Sequence, residues 1–279
     1  MTETKKARSS GHASDFLPPI EFDILSEFNP MTMPPSLQTS LRVLFLQLLL
    51  FCLTLTSLPA QSPYTLDTGR ELFLSGAGAS TVGVSILLDR RVEPLTAEQI
   101  SALNVEAVPG IDRWVTRQWS VPAQRVSDKF LFGSLVLPAT LALDQPARTD
   151  FGQVSLITLE SLLLTAGLTN LTKTLVKRPR PFTYNPDVPM SLKLEKDSRY
   201  SFFSGHTSLT STMSFLTAKM YHDFYPESNA RPYVWASAAL IPAITGYLRV
   251  RGGKHYLTDV LVGYGVGAAI GILVPQLHK

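Results

Sequence analysis

The 279-residue chain contains one cysteine, Cys52, which excludes an intrachain disulfide and a thiolate metal site. Charge is sparse, with Asp, Glu, Lys and Arg at 17% of residues against roughly 25% in soluble domains. With apolar residues at 45%, that balance points to a membrane protein or to an unusually apolar helical bundle. A net charge of +3 is too small to argue for nucleic acid. No basic stripe with interleaved aromatics occurs either, so no nucleic-acid partner is expected. Strand-like alternation is scarce, and no fixed-period repeat runs through the chain.

What the chain does have is a succession of apolar segments. Residues 1–40 are polar and rich in Pro and Ser, and read as disordered or as lying upstream of the true start. Residues 41–60 carry LRVLFLQLLLFCLTLTSL followed by Pro59-Ala60, a signal peptide or an uncleaved membrane anchor. Either one exports the chain beyond it. Residues 61–127 form an extracytoplasmic, helical N-terminal region. It holds a Gly-, Ser- and Ala-rich stretch, Leu72–Leu88, and an amphipathic helix opening at Thr96, whose spacing to Gln99 suits a capping box. Residues 128–279 are expected to form a catalytic helical bundle from Phe130–Leu143, Val154–Leu171, Thr207–Tyr221, Tyr233–Leu248 and Leu257–Leu277. The fold class is therefore all-α, and a membrane-embedded bundle is preferred to a soluble one. Leu257–Leu277 has the length of a spanning helix, whereas the short, hydroxyl-rich Thr207–Tyr221 suits the core of a soluble bundle equally.

Polar and basic residues gather at three places, each at the end of an apolar segment: Lys173 to Pro181, Ser201 to Ser208, and Arg249 to Asp259. Antiparallel helices with short connections would bring all three to one end of the bundle, as a cationic cup. Lys173 and Arg180 supply cations, and the planar fork of Arg249 suits phosphate oxygens. Ser204-Gly205-His206 precedes a helix, where free N–H groups and the dipole favour an anion, and Gly205 permits close approach. His255 and Asp259, four apart, share a helical face, so the carboxylate can orient one imidazole nitrogen and leave the other free to attack. His206 is a second imidazole, available to protonate a leaving oxygen. Anion clamp, nucleophile, orienter and general acid together suit phosphoryl transfer.

These stretches resemble the three-part motif of the type 2 phosphatidic acid phosphatase and vanadium haloperoxidase superfamily. Lys173 with Arg180-Pro181 fits the first part, Ser204-Gly205-His206 the second, and Arg249, His255 and Asp259 the third, all with matching gaps. Phe203 stands where the family has Pro, and Leu248 where it has Ser. The resemblance covers about residues 150–279. It implies phosphate binding by Lys173, Arg180, Ser204, Gly205 and Arg249, a phosphohistidine at His255 oriented by Asp259, and leaving-group protonation by His206. It also implies hydrolysis without metal or other cofactor, on a phosphorylated lipid or other phosphate ester at a membrane. A vanadate-dependent haloperoxidase and a soluble periplasmic acid phosphatase are the alternatives.

Other residues carry blander readings. Lys177, Arg178 and Arg251 serve equally well as a positively charged flank on the cytoplasmic side of a membrane. His12, His222 and His278 read as structural, and Gly252-Gly253 as turn glycines. Tyr184, Asp187 and Arg199 lie in the connection 182–203, a substrate collar with no assigned role. Counting 41–58 as the first of six spans, with 72–88 outside the bilayer, places the cup outside the cell. Cleaving the signal and threading 72–88 through the membrane places it inside. The extracytoplasmic site is the expectation.

Overall fold

The computed structural model describes residues 62–279; the tract 1–40 and the signal or anchor at 41–60 lie outside the described residues. Among the described residues, six long helices carry the fold: α1 Thr68–Asp89, α2 Val121–Val136, α3 Phe151–Val176, α4 Gly205–Phe224, α5 Arg231–Arg251 and α6 Leu257–Leu277. A 3₁₀ turn, Leu137–Leu143, prolongs α2, and there is no strand among the described residues. The all-α expectation holds.

Local chemistry explains the helix boundaries. Asp67 caps α1 by accepting from the Arg70 N–H, and Ser120 caps α2, with Pro122 in the first turn where a missing N–H costs nothing. Lys177 adopts a left-handed φ of 50° and ends α3, and Pro179 prevents the helix from resuming. The Thr96–Gln99 capping box forms as the spacing predicts, yet the helix it opens lasts only five residues, Ala97–Ser101. Short turns then lead to α2, which starts well before Phe130 because the Ser120 cap and Pro122 precede the apolar run. The sequence boundary at 128 thus falls inside α2. α6 occupies the limits read from sequence.

α4 runs through the middle, packed on α2, α3, α5 and α6, while α1 lies along α3. Its buried Thr207, Ser208, Thr210, Ser211, Thr212 and Ser214 make it an unusually polar core element. Several of these hydroxyls are satisfied locally or across helices: Thr212 donates to the Ser208 carbonyl, meets Thr165 of α3 at 2.9 Å, and Ser208 meets Thr169 at 3.0 Å. α6 approaches α4 through Gly263, Gly267 and Gly271, where an added Cβ would fall 2.7, 2.2 and 2.6 Å from the carbonyl oxygens of Ser204, Ser208 and Thr212. Backbones meet this closely only where side chains are absent.

The outward faces are apolar. Leu72, Phe73, Ile86 and Leu87 on α1, Phe132 and Val136 on α2, and Leu261 and Leu273 on α6 are all exposed. Among the described residues, four segments, Thr68–Asp89, Val121–Leu143, Phe151–Tyr184 and Leu257–Leu277, are long and apolar enough to cross a membrane. An apolar girdle of this extent suits lipid rather than water. Leu72–Leu88, left out of the bilayer in one of the two threading schemes, belongs to the first of these segments.

Candidate active site

The three sequence motifs meet at one end of the bundle. Lys173 sits on the last turn of α3, and Arg178 and Arg180 follow in the extended connection. Ser204 caps α4, accepting from the Thr207 N–H, so the free amides of Gly205 and His206 face the end of the helix where the dipole is positive. An added Cβ at Gly205 would sit 3.2 Å from Lys173 Nζ, which brings the first motif onto the second. Arg249 closes α5. The chain then turns through Gly253, whose φ of 69° and whose contact with the Gln118 carbonyl, 2.2 Å from where a Cβ would stand, admit only glycine.

His255 is buried, and both ring nitrogens have partners. Nδ1 lies 2.7 Å from the Ser201 carbonyl, which can only accept, so Nδ1 carries the proton and Nε2 the lone pair. Nε2 faces Arg180 Nη1 at 3.1 Å. Burial, and then the charges of Arg180, Arg249 and Lys173, hold the imidazole well below its usual pKa, so it is neutral at physiological pH.

The structure differs from the sequence reading at Asp259. Its Oδ2 is 3.8 Å from His255 Nδ1 and instead accepts from Ser201 Oγ at 2.5 Å and from the Tyr256 N–H at 2.9 Å. The carboxylate acts one step removed: it holds Ser201, whose carbonyl holds the histidine. Tyr256 N-caps α6 and Asp259 is three residues on, so the helix needs this carboxylate as its reciprocal cap, and that draws it away from the imidazole.

Arg178, read from sequence as a possible membrane flank, is a brace. It pairs with Asp259 at 2.5 Å and Asp112 at 2.8 Å, and its guanidinium lies 4.0 Å from the Tyr256 ring centroid. Asp112, buried, also accepts from the N–H and hydroxyl of Thr258. Lys177 and Arg251 remain exposed.

Three carboxylates near the cup escaped the sequence reading. Asp197 binds Arg180 Nη2 at 2.6 Å and approaches Lys254 at 3.6 Å. Burial would raise its pKa, but Arg180, Lys254 and Lys173 outweigh that and hold it well below the carboxylate range. Asp128 lies 2.7 Å from His206 Nε2 and 3.5 Å from Arg249 Nη1. Asp112 is the third. Arg249 also reaches Ser127 Oγ at 3.2 Å, while its buried Nε has no acceptor, and the Lys173 ammonium makes no hydrogen bond or ion pair among the described residues. Donors left over in this way suit an anion with several oxygens. Ser204 Oγ, expected on phosphate, is shared between the Thr207 hydroxyl and the helix cap. Of the collar residues, Tyr184 packs beneath Tyr256, and Arg199 bonds Gln99. A cavity of about 250 Å³, lined by Ser85, Ile86, Asp89, Asn170, Lys173, Thr174 and Tyr200, opens between α1 and α3 beside Lys173.

The chain is similar to known proteins over part of its length. Residues 155–279 match the PAP2 superfamily model. A lipid A 4'-phosphatase of Porphyromonas gingivalis is 25% identical over 83 residues, 30% of this chain and 32% of that one, so the likeness spans about a third of the relative. The crystal structure of a transmembrane PAP2-type phosphatidylglycerolphosphate phosphatase from Bacillus subtilis is 21% identical, with a TM-score of 0.46 over 72% of this chain and 95% of that one. Residues 155–279, the part that brings Lys173, Arg180, Ser204, His206, Arg249, His255 and Asp259 together, carry this chain's match to the PAP2 superfamily.

Proposed function

We propose that the chain is a phosphatase that hydrolyses lipid phosphate monoesters or pyrophosphates through a phosphohistidine, without a catalytic metal. The observation that carries this reading is the state of His255: Nδ1–H pinned by the Ser201 carbonyl, with the Nε2 lone pair aimed at Arg180 inside a cluster of cations. A substrate phosphoryl group takes its place among Lys173, Arg180 and Arg249 and the amides at the start of α4. These charges do the work a metal would do, offsetting the negative charge of the phosphoryl oxygens.

His255 Nε2 forms a bond to phosphorus as the bond to the leaving oxygen breaks. Burial, and then the charge of Arg249, lower the His206 pKa to about 4. The negative charge of a bound phosphate favours the imidazolium, which keeps its Nε2–H on Asp128 and gives its Nδ1 proton to that oxygen. Water then attacks the phosphohistidine, His206 takes a proton from it, and inorganic phosphate leaves with His255 neutral again. The cavity beside Lys173, next to the lipid-facing Ile86, gives the rest of a lipid substrate a place outside the polar cup. The lipid A 4'-phosphatase relative supports a lipid phosphate as substrate. The cup is read as extracytoplasmic.

The test is phosphate release from phosphatidic acid, an isoprenyl pyrophosphate and an aryl phosphate, in detergent with a chelator present. The parent protein is expected to turn over at least one of these, and His255→Ala to lose about 10³-fold or more of that rate. An unchanged rate in His255→Ala would sink the nucleophile assignment, and loss of activity with chelator would sink the metal-free one.

A further inference from the structure

At the end of the bundle opposite the cup, the C-terminal end of α6 meets the start of α1 and the middle of α3. The N-terminus of α6 belongs to the catalytic end, so about 30 Å of helix, at 1.5 Å per residue, separates the two places. Three side chains converge there: Glu71 of α1, Glu160 of α3 and His278 just beyond α6. His278 Nε2 lies 2.8 Å from Glu71 Oε2 and 3.1 Å from Glu160 Oε2, and the three ligand atoms are within 4.8 Å of one another. Glu160 and His278 are fully buried.

The remaining atoms of the cluster are already committed. His278 Nδ1 donates to the Val274 carbonyl at 2.7 Å, which turns Nε2 toward the carboxylates. Ser75 donates to Glu160 Oε1, and Arg70 takes Glu71 Oε1 together with the Leu277 carbonyl. Glu160 Oε2 is different: it is buried and accepts no hydrogen bond of acceptable geometry. The imidazole has a single N–H at Nε2, which points to Glu71, so it cannot serve both carboxylates. A buried carboxylate oxygen with no hydrogen bond of its own, faced only by the charge of an imidazole 3.1 Å away, is costly and calls for a function.

We propose that Glu71, Glu160 and His278 form a binding site for a divalent transition-metal ion, with zinc as the reference ion. One imidazole nitrogen and two carboxylate oxygens are a borderline-soft donor set that suits zinc over magnesium or calcium. An imidazole whose other nitrogen donates to a backbone carbonyl is the usual outer arrangement of a ligating histidine. Metal–ligand bonds of about 2.0–2.2 Å at tetrahedral angles would require the three atoms to part by a few tenths of an ångström. The ion would fasten α1 and α3 to the C-terminal end of α6 and take no part in catalysis. Burial lowers the His278 pKa, but Glu160, the Val274 carbonyl and Glu71 outweigh this and raise it. The ion therefore displaces a proton on binding.

The experiment uses the full chain in detergent, stripped with chelator, dialysed, and then titrated with zinc or cobalt. In the parent protein, cobalt should produce a visible d–d absorption that zinc abolishes. Zinc should be retained at about one ion per chain and should raise the unfolding temperature. Glu160→Gln and His278→Gln should lose the retained zinc and the thermal shift, whereas His206→Gln, at the other imidazole–carboxylate pair, should keep both. A parent protein without the cobalt band would overturn the site and leave a proton as the occupant of the cluster. Equal zinc retention in folded Glu160→Gln would overturn it as well.

Discussion

His255 owes its chemistry to what surrounds it, and the surroundings can be tested separately. In the folded chain its imidazole is held neutral far below the usual pKa of about 6.5, whereas in the unfolded chain it titrates near that value. Below about pH 6.5 the unfolded state therefore binds the extra proton, and stability falls as pH falls through that window. In phosphate-free buffer, His255→Gln should flatten this acid slope in thermal unfolding measured across pH; an unchanged slope would place the titration elsewhere. His206 makes a different prediction. Loss of a general acid costs about 10²–10⁴-fold where the leaving group is poor and much less where it is good. His206→Ala should therefore slow a lipid phosphate monoester far more than an aryl phosphate, and equal losses on both would remove the proton-donor role. The motif residues could be read from sequence because their spacing ties them together. Asp128, Asp197 and Asp112 could not, since each is a lone carboxylate whose arginine or histidine partner is far away along the chain. The Asp259 contact was misjudged because four-residue spacing puts two side chains on one face but does not say which neighbour wins the carboxylate.

The helices themselves were largely legible, since an apolar run bounded by polar residues is a direct signal of a buried or lipid-facing segment. Their starts were less so: α2 begins at Val121, where a Ser cap and a proline precede residues that are not yet apolar. The region before it defeated the reading, because the Thr96 capping box marks a helix start but not its length. The contact of α6 with α4 gives the sharpest test at this scale. A Cβ on Gly267 would stand 2.2 Å from the Ser208 carbonyl oxygen, whereas a Cβ on Gly265 meets nothing within 4 Å. Gly267→Ala should cost about 1–3 kcal/mol or more of stability through forced separation of the helices, and Gly265→Ala close to none. Thermal unfolding of the two variants in one detergent would decide it; similar values would mean that the helices do not depend on this close approach.

At the scale of the molecule, one end of the bundle holds the charges of the cup and the connection 182–203, and the other holds the turn between α4 and α5. Which end faces the cytoplasm was not legible, because the basic residues that would report it are the same ones that line the cup. In a Cys52→Ser background, Asp187→Cys marks the catalytic end and Glu227→Cys the other, both at exposed positions. With the cup extracytoplasmic, a membrane-impermeant maleimide added to intact cells should label the first and spare the second. The reverse pattern would turn the protein over.

The order of the motifs along the chain has a bearing on biogenesis. Lys173 and Arg180 emerge from the ribosome first, Ser204 to His206 next, and His255 and Asp259 only with α6. Ser201, which holds His255, is itself held by Asp259 on α6, so no partial assembly contains His255 in this orientation. With His255 as the proposed nucleophile, a nascent chain held in the membrane would be inert toward the surrounding lipids until its final helix is inserted. Turnover, once present, certifies that every preceding helix has found its place.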